Sequence, residues 1–318
     1  MDTLANLLDG VRARGAVFTR TVMSPQLSLR FASGAQLTLA AALDGHVWIT
    51  PAHGEPFHLD AGDIAVLRGP APYTVAENPA VPPRHTITSA DYCASTTRAT
   101  AGGEPGTDPR TCGVGDAGSV SLISGAYEGR TGISDRLLDA LPAVLVVPEE
   151  DSDPTLLALV ATELRRDRPG QQTVPDRLLD LLLVSTLRAW FDRPHHQAPA
   201  WYRTGDDPVV AAALRLMHEH PAHPWTVATL AAKAGASRSG LARRFTQHVG
   251  QPPMSYLASW RTALAADLLR DTDATVGAIA RQVGYSNTFA LSVAFKRCRG
   301  LTSTEHRAAA QRTRELTP

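Results

Sequence analysis

The sequence predicts a multidomain chain in which an N-terminal β-barrel with flanking helices precedes an all-α C-terminal domain of two helix-turn-helix motifs. Its 318 residues are more than one hydrophobic core usually holds. Short apolar runs between turn residues fill residues 20–90, whereas one helical pattern occurs twice in the last third of the chain. We expect the barrel at 1–150, a helical segment at 151–194, a linker at 195–206 and the C-terminal domain at 207–318.

The barrel is predicted from apolar segments that turn residues such as Asp44-Gly45 and Gly69-Pro70 separate. They recur about every 8 to 12 residues, a spacing typical of antiparallel sandwiches and barrels. The predicted strands are 36–43, 47–50, 56–59, 64–67, 73–75 and 120–123. Residues 94–119 carry too little apolar surface to offset the entropy of ordering, which predicts a mobile loop.

Two helices are predicted after the barrel, because apolar residues recur at helical spacing over 155–166 and 175–191. The second helix is apolar on more than one face, as a helix buried on several sides is. We expect it to pack on the barrel and on a second copy of the chain, forming a homodimer. Packing within one chain alone is the alternative.

The C-terminal domain is predicted from a repeated segment. Residues 226–235, Thr-Val-Ala-Thr-Leu-Ala-Ala-Lys-Ala-Gly, recur as residues 275–284, Thr-Val-Gly-Ala-Ile-Ala-Arg-Gln-Val-Gly. Each copy indicates a helix, a glycine turn and a second helix that begins at Ser237 or Asn287, whose side-chain oxygens can accept free backbone N–H groups. The second helix of such a motif enters the major groove of DNA. Apolar spacing over 255–270 predicts a rigid helix between the two motifs.

The charge also differs between the two halves. Residues 1–206 carry 17 basic and 24 acidic side chains, a net charge of −7, whereas residues 207–318 carry 14 basic and 7 acidic side chains, a net charge of +7. The C-terminal half is therefore predicted to bind a polyanion. No apolar run approaches the roughly 20 residues of a membrane helix, and the N-terminus lacks the basic start of a secretory signal. We expect a soluble, cytoplasmic protein with no membrane partner.

Several short motifs lie at fixed separations in the C-terminal domain. They are Gly235-Ala-Ser-Arg-Ser239, Gly250-Gln-Pro-Pro-Met-Ser-Tyr-Leu257, Trp260-Arg261, Ala278-Ile-Ala-Arg-Gln-Val-Gly-Tyr285 and Ala294-Phe-Lys296. Together they closely resemble the DNA-binding domain of AraC/XylS-type transcriptional regulators over nearly all of residues 208–307. The N-terminal half resembles the cupin-type sensor domain often attached to them, through Gly45-His-Val-Trp48, Gly62-Asp63 and Gly69-Pro-Ala-Pro72.

This resemblance implies a sequence-specific, DNA-binding transcriptional regulator and not an enzyme. Its partners would be double-stranded promoter DNA, RNA polymerase and a small-molecule effector, with a small-molecule or redox signal acting at the barrel and no cofactor. Two alternatives remain open. In the first, the chain would be a cupin-type metalloenzyme with an accessory DNA-binding tail. In the second, it would be an architectural DNA binder that needs no ligand.

The second helix of the first motif is predicted to contact bases. At helical spacing, Arg238, Ser239 and Arg243 point outward, while Leu241 and Phe245 face the core. A guanidinium can bind guanine O6 and N7 through two hydrogen bonds, which makes the two arginines the leading candidates. Ser239 is a weaker candidate.

The second motif departs from the family pattern. Its matching outward positions are Thr288, Phe289, Ser292 and Val293, and the family commonly has a long polar side chain at the position of Val293. We therefore expect weaker base recognition there, although Thr288 and Phe289 can touch thymine methyl groups. A second departure places Ser303 where the family usually has proline.

Further basic residues are candidates for phosphate contacts, which position a protein on DNA without reading its sequence. Arg244 is expected to face phosphates or a neighbouring helix. Arg261 is expected on the exposed side of the connecting helix. Lys296 and Arg297 follow the outward face of the second motif.

The barrel interior is the expected ligand pocket. We predict that its lining comes from Leu29, Phe31, Leu39, Trp48, Ile64 and Val66. Trp48, Tyr73 and Phe31 are the candidate ligand contacts. The cupin metal site is expected to be absent, because Ala40 and Tyr73 stand where histidine ligands belong and His46, His53, His58 and His85 are scattered along the sequence.

The cysteines offer one more hypothesis. Cys93 and Cys112 flank the predicted loop and would change the shape of the domain if they oxidised to a disulfide, although no basic residue beside either one indicates a lowered thiol pKa. Without a C-x-x-C spacing, neither a zinc site nor a disulfide framework is indicated.

Overall fold

The computed structural model describes residues 19–23, 26–83, 85–88, 111–113, 120–127, 134–164, 173–193, 198–199, 202 and 207–315. They divide into two compact units. One holds all the described strands with helices 154–164 and 173–191, and the other includes residues 207–315. Among the described helices, none combines the length and apolar character that crossing a bilayer requires.

The described strands are β1 (Thr19–Met23), β2 (Ser28–Phe31), β3 (Leu37–Asp44), β4 (His46–Pro51), β5 (Phe57–Asp60), β6 (Ile64–Arg68), β7 (Tyr73–Ala76), β8 (His85–Ile87), β9 (Thr111–Gly113), β10 (Val120–Tyr127) and β11 (Val144–Val147). The described helices are α1 (Ser134–Ala140), α2 (Pro154–Leu164), α3 (Thr173–Phe191), α4 (Pro208–Glu219), α5 (Val227–Lys233), α6 (Arg238–Val249), α7 (Pro253–Asp271), α8 (Val276–Gln282), α9 (Thr288–Arg299) and α10 (Ser303–Glu315).

The strands form two sheets, of six strands in the order β11-β6-β3-β10-β1-β9 and of five in the order β5-β4-β7-β2-β8. All six strands predicted from the apolar segments are present, which confirms a sheet-rich N-terminal domain. The predicted barrel is not closed among the described strands, and the two sheets instead form an open sandwich of the jelly-roll kind. Strand β9 lies within the segment predicted as a loop, and the rest of 94–119 lies outside the described residues.

The core of the sandwich follows from the alternation of side chains along a strand. In β3, Ala40 and Ala42 join one buried cluster with Val47 and Ile49 of the other sheet. Leu37, Leu39 and Ala41 are buried on the opposite face of the six-stranded sheet. This sheet is therefore buried on both faces.

Helix α3 packs on that second face. A Cβ atom added to Gly125 of β10 would lie 2.9 Å from Cδ1 of Leu179, so only glycine allows this approach. The hydroxyl of Tyr127 donates a hydrogen bond of 2.8 Å to the Leu179 carbonyl, and burial raises the pKa of this phenol well above its usual value. Contact with the sheet and with α2 explains why α3 is apolar on more than one face.

The C-terminal unit repeats one helix-turn-helix arrangement, in α5–α6 and again in α8–α9. Each of these four helices begins at a side chain that accepts a backbone N–H, from Thr226, Ser237, Thr275 and Asn287. Helices α6 and α9 both end at a glycine in the left-handed region, Gly250 at φ 78° and Gly300 at φ 76°. The start signals predicted from the sequence are thus confirmed.

The connecting helix α7 belongs to two cores. Near its start, the ring of Tyr256 packs edge-on against Phe245 of α6, with 5.6 Å between ring centroids. Near its end, Leu269 joins a second cluster with Ile279 of α8 and Phe295 of α9. Because the helix serves both cores, its buried face is wide. Small residues including Ala263 and Ala266 are buried, while Leu264 and Leu268 are only half-buried.

Candidate nucleic-acid interface

Helix α6 presents the outward face that the sequence predicts. The Ser237 hydroxyl oxygen accepts a hydrogen bond of 3.1 Å from the Gly240 N–H, which defines where the helix begins. Leu241 and Phe245 are fully buried and set the rotation of the helix about its axis. With that face held, Ser239 and Arg243 are exposed on the opposite side, and Arg238 is exposed in the first turn of the helix. The three side chains can reach a groove without disturbing the core.

Arg244 turns toward a neighbouring helix, one of the two positions expected for it. Its Nη1 lies 3.7 Å from Oδ2 of Asp207. The other carboxylate oxygen of Asp207 caps α4 by accepting from the N–H groups of Val209 and Val210 at 2.9 and 3.2 Å. His248 Nε2 lies 3.7 Å from the same Asp207 oxygen as Arg244. This carboxylate therefore links the start of α4 to α6.

Arg261 is half-buried rather than fully on the exposed side of the connecting helix, and its guanidinium contacts backbone carbonyls. Its Nε donates 2.7 Å to the Pro221 carbonyl and its Nη2 donates 2.7 Å to the His223 carbonyl. The guanidinium carbon also lies 5.8 Å from the ring centroid of Tyr285, and burial lowers the pKa of the guanidinium. The side chain is drawn inward because α7 runs between the loop before α5 and the turn of the second motif.

Helix α9 is anchored like α6 but presents different chemistry. Leu291 and Phe295 are fully buried, Phe289 and Val293 are exposed on the other side, and Thr288 is exposed in the first turn. Phe289 is 76% exposed and Val293 is 52% exposed. Lys296 and Arg297, one turn further along, are also exposed.

Ser292 is placed less outward than predicted. It is half-buried, and its hydroxyl lies 3.1 Å from the hydroxyl of Ser303, which is fully buried at the start of α10. The departure from proline at position 303 thus supplies a hydrogen-bond partner for the recognition helix. This pairing was not foreseen, because nothing local connects two serines that are 11 residues apart.

The sandwich contains a cavity of about 120 Å³ at one end. Two of the predicted ligand contacts, Phe31 and Tyr73, line it and stack with 5.0 Å between their ring centroids. The Tyr73 hydroxyl is hydrogen-bonded to Thr38, and burial raises the pKa of this phenol. Thr38 was missed from the sequence, where a single threonine in an apolar strand was the only signal.

The prediction that Trp48 lines the interior is wrong. In β4, Val47 and Ile49 point into the core, so the alternation of the strand turns Trp48 to the outer face, where its ring lies 5.0 Å from that of His58. The predicted lining residues Leu39, Ile64 and Val66 are buried but belong to the opposite face of the six-stranded sheet. Leu29 and Phe31 do belong to the core between the sheets.

The histidines are less scattered than their sequence positions suggest. Strand pairing brings His46 and His58 to 5.0 Å between ring centroids, and Nδ1 of His58 lies 3.2 Å from a carboxylate oxygen of Asp60. Within the described residues no group of three His, Cys, Asp or Glu side chains is arranged to hold a metal ion. Cys93 and the side chain of Cys112 lie outside the described residues, so the redox hypothesis stays a prediction.

Comparison with known proteins agrees with this architecture. Residues 2–192 match a cupin family model, and residues 230–309 match a helix-turn-helix domain model. A protein of Streptomyces lividans named as an AraC-like transcription regulator is 33% identical over 312 residues, which span 96% of this chain and 98% of the relative. The transcriptional regulator AlkR of Acinetobacter baylyi is 35% identical over 170 residues, 51% of this chain and 54% of that protein.

Among solved structures, the chain is similar to the DNA-binding domain of AdpA, a global transcriptional factor crystallised with a target DNA. The identity is 33%, with 35% of this chain and 99% of that chain covered and a TM-score of 0.33. Because the cupin model spans more than half of the chain and the Streptomyces lividans relative is similar over its full length, the chain belongs to the AraC-type DNA-binding transcription regulators that carry an N-terminal cupin domain.

Proposed function

We propose that the chain recognises promoter DNA by inserting α6 into a major groove, with Arg238 and Arg243 as base contacts. The observation that carries this proposal is the exposure of both guanidinium groups on a helix whose rotation about its axis is fixed by the buried Leu241 and Phe245. A rigid support allows two hydrogen bonds to one guanine to form without first ordering the helix.

Phosphate contacts are proposed for the exposed basic residues Lys296 and Arg297 of the second motif. The net charge of +7 over residues 207–318 favours such contacts. Each phosphate that a cation neutralises releases counterions, so binding should weaken steeply as salt increases.

A labelled promoter fragment from upstream of the gene itself, titrated at 50 and 200 mM salt, tests this proposal. Arg243→Ala should lower the affinity about 10- to 100-fold, the value of one good bidentate contact. Arg215→Ala is the matched control, because Arg215 is an exposed arginine on α4, a helix outside the two motifs. Equal affinities for the wild type and Arg243→Ala would refute the assignment.

We propose that the sandwich holds a small effector in its cavity. The support is the stacked Phe31–Tyr73 pair, which presents aromatic side chains at the wall of a cavity of about 120 Å³. A thermal-shift screen of small aromatic compounds tests this. Ala71→Leu, at the cavity wall, should weaken the shifts that hits produce, whereas Ala80→Leu, equally exposed but outside the cavity lining, should preserve them.

We further propose that the helical segment 151–194 forms a homodimer and that the cupin domain is a sensor without catalytic activity. The apolar side chains left exposed on α2 and α3, among them Leu159 and Leu181, support dimerisation. For the sensor assignment, the support is that Ala40 and Tyr73 stand where the cupin metal ligands belong. Stoichiometric iron or manganese in protein purified without an affinity tag would instead favour the metalloenzyme.

A further inference from the structure

The two motifs present opposite chemistry at matching positions. The caps Ser237 and Asn287 are 50 residues apart, and so are the buried residues Leu241 and Leu291. The same offset pairs Arg243 with Val293, and Ser239 with Phe289. Where α6 carries a cation and a hydroxyl, α9 therefore carries two apolar side chains.

Phe289 and Val293 form one apolar patch. They are four residues apart on a helix, a spacing that makes side chains neighbours. Their exposed fractions are 76% and 52%, and the helix already buries Leu291 and Phe295 on its other side. The two side chains are thus not required by the described core and can contact a partner without disturbing it.

The surroundings of the patch indicate what it contacts. Lys296 and Arg297 follow it along α9, and Arg281 of α8 is also exposed. An apolar patch beside cations suits a polyanion that itself presents an apolar group. In the major groove of DNA, that group is the C5-methyl of thymine.

We propose that α9 recognises thymine through its methyl group, with Phe289 and Val293 as the contacts. This inference rests on the proposed function, in which the recognition helices enter DNA. The consequence is a composite operator with guanine in the half that α6 contacts and thymine in the half that α9 contacts. The second motif is then a specificity element as well as a positioning one.

The test begins with the full-length chain and a library of random duplexes, from which binding sequences are selected at low salt. The expected operators carry thymine about one helical turn away from a guanine-containing half. In a selected duplex, thymine is then replaced by deoxyuridine, which removes only the methyl group. Each replacement in the thymine half should weaken binding about fourfold, which corresponds to the burial of one CH₂-sized group. Replacements in the guanine half should change binding less than about 1.5-fold, because no methyl contact is proposed there.

Variants assign the effect to the patch. Phe289→Ala with Val293→Ala should bind the thymine and deoxyuridine duplexes equally, and because both side chains are exposed the fold should be retained. Leu301→Ala is the control, since Leu301 is a partly exposed apolar residue beyond the end of α9, and it should keep the discrimination.

The outcomes separate this inference from the proposed function. Equal affinity of the wild type for thymine and deoxyuridine duplexes would overturn the inference and leave the proposed function intact. Discrimination that persists in the double variant would also overturn it. Failure to select any duplex would refute the proposed function and the inference together.

Discussion

Replacing Arg261 by methionine separates a structural role from a DNA contact. The guanidinium donates two hydrogen bonds of 2.7 Å to the carbonyls of Pro221 and His223, and methionine keeps the apolar stem but donates neither. Hydrogen bonds to charged groups contribute about 1.5–3 kcal/mol each when buried. Because this site is only half-buried, we expect a total loss of about 2–3 kcal/mol in the free energy of unfolding.

The assay is hydrogen exchange as a function of urea, followed in peptides of residues 207–315 of the full-length chain. With a denaturant slope of about 1–3 kcal/mol per molar, the unfolding midpoint should fall by about 1–2 M. Arg215→Met is the matched control, an exposed arginine of the same unit that should change stability by less than about 0.5 kcal/mol.

The opposite result would restore the expectation formed from the sequence. If Arg261 contacts a phosphate, methionine should leave stability unchanged and reduce the slope of log affinity against log salt by about 0.9. An unchanged unfolding midpoint combined with that smaller slope would refute the structural role.

Three further predictions concern packing and assembly. Gly284→Ala should destabilise the C-terminal unit by more than about 2 kcal/mol, because alanine is strained at φ +91° and its Cβ would lie 2.8 Å from Cα of Ala222. Tyr127→Phe should destabilise the sandwich by about 1–2 kcal/mol, because the Leu179 carbonyl loses its buried donor. Leu181→Glu should convert the proposed dimer to a monomer in analytical ultracentrifugation. Leu181 is 52% exposed in the single chain, and the dimer would have to bury the charge of the glutamate in its interface.

Each of these predictions has a control or a contradicting result. Gly235 occupies the same turn position in the first motif at φ +72° with nothing within 4 Å of an added Cβ, so Gly235→Ala should cost only the backbone strain of about 1 kcal/mol. Equal losses for both glycine variants would argue against a close approach at Gly284. Unchanged thermal stability of Tyr127→Phe would exclude a contribution from its hydrogen bond. A wild type that is monomeric at all working concentrations would remove the dimer.

Local features were predictable because neighbouring residues alone decide them. Three local patterns predicted both motifs and the outward face of α6. They are the repeat of residues 226–235 at 275–284, the caps Ser237 and Asn287, and the helical period of Leu241 and Phe245. The charge difference between the two halves likewise required no structure. The family and the function that these patterns indicate are confirmed by the relatives.

The side that a strand presents to the core was not predictable from its own residues. Val47, Trp48 and Ile49 are all apolar, so the sequence of β4 allows either face to be buried, and a shift by one residue exchanges the two faces. Pairing with β5 and β7 selects the face with Val47 and Ile49.

The sequence by itself determined the fold class, the doubled motif and the basic half, since periodicity, capping and charge act over a few residues. Only the tertiary structure decided the roles of Arg261, Ser292 and Trp48. Arg261 binds carbonyls 38 and 40 residues away, and Ser292 meets a serine 11 residues on. Long polar side chains take the hydrogen-bond partners that packing brings to them, and those partners are set by contacts that no local pattern encodes.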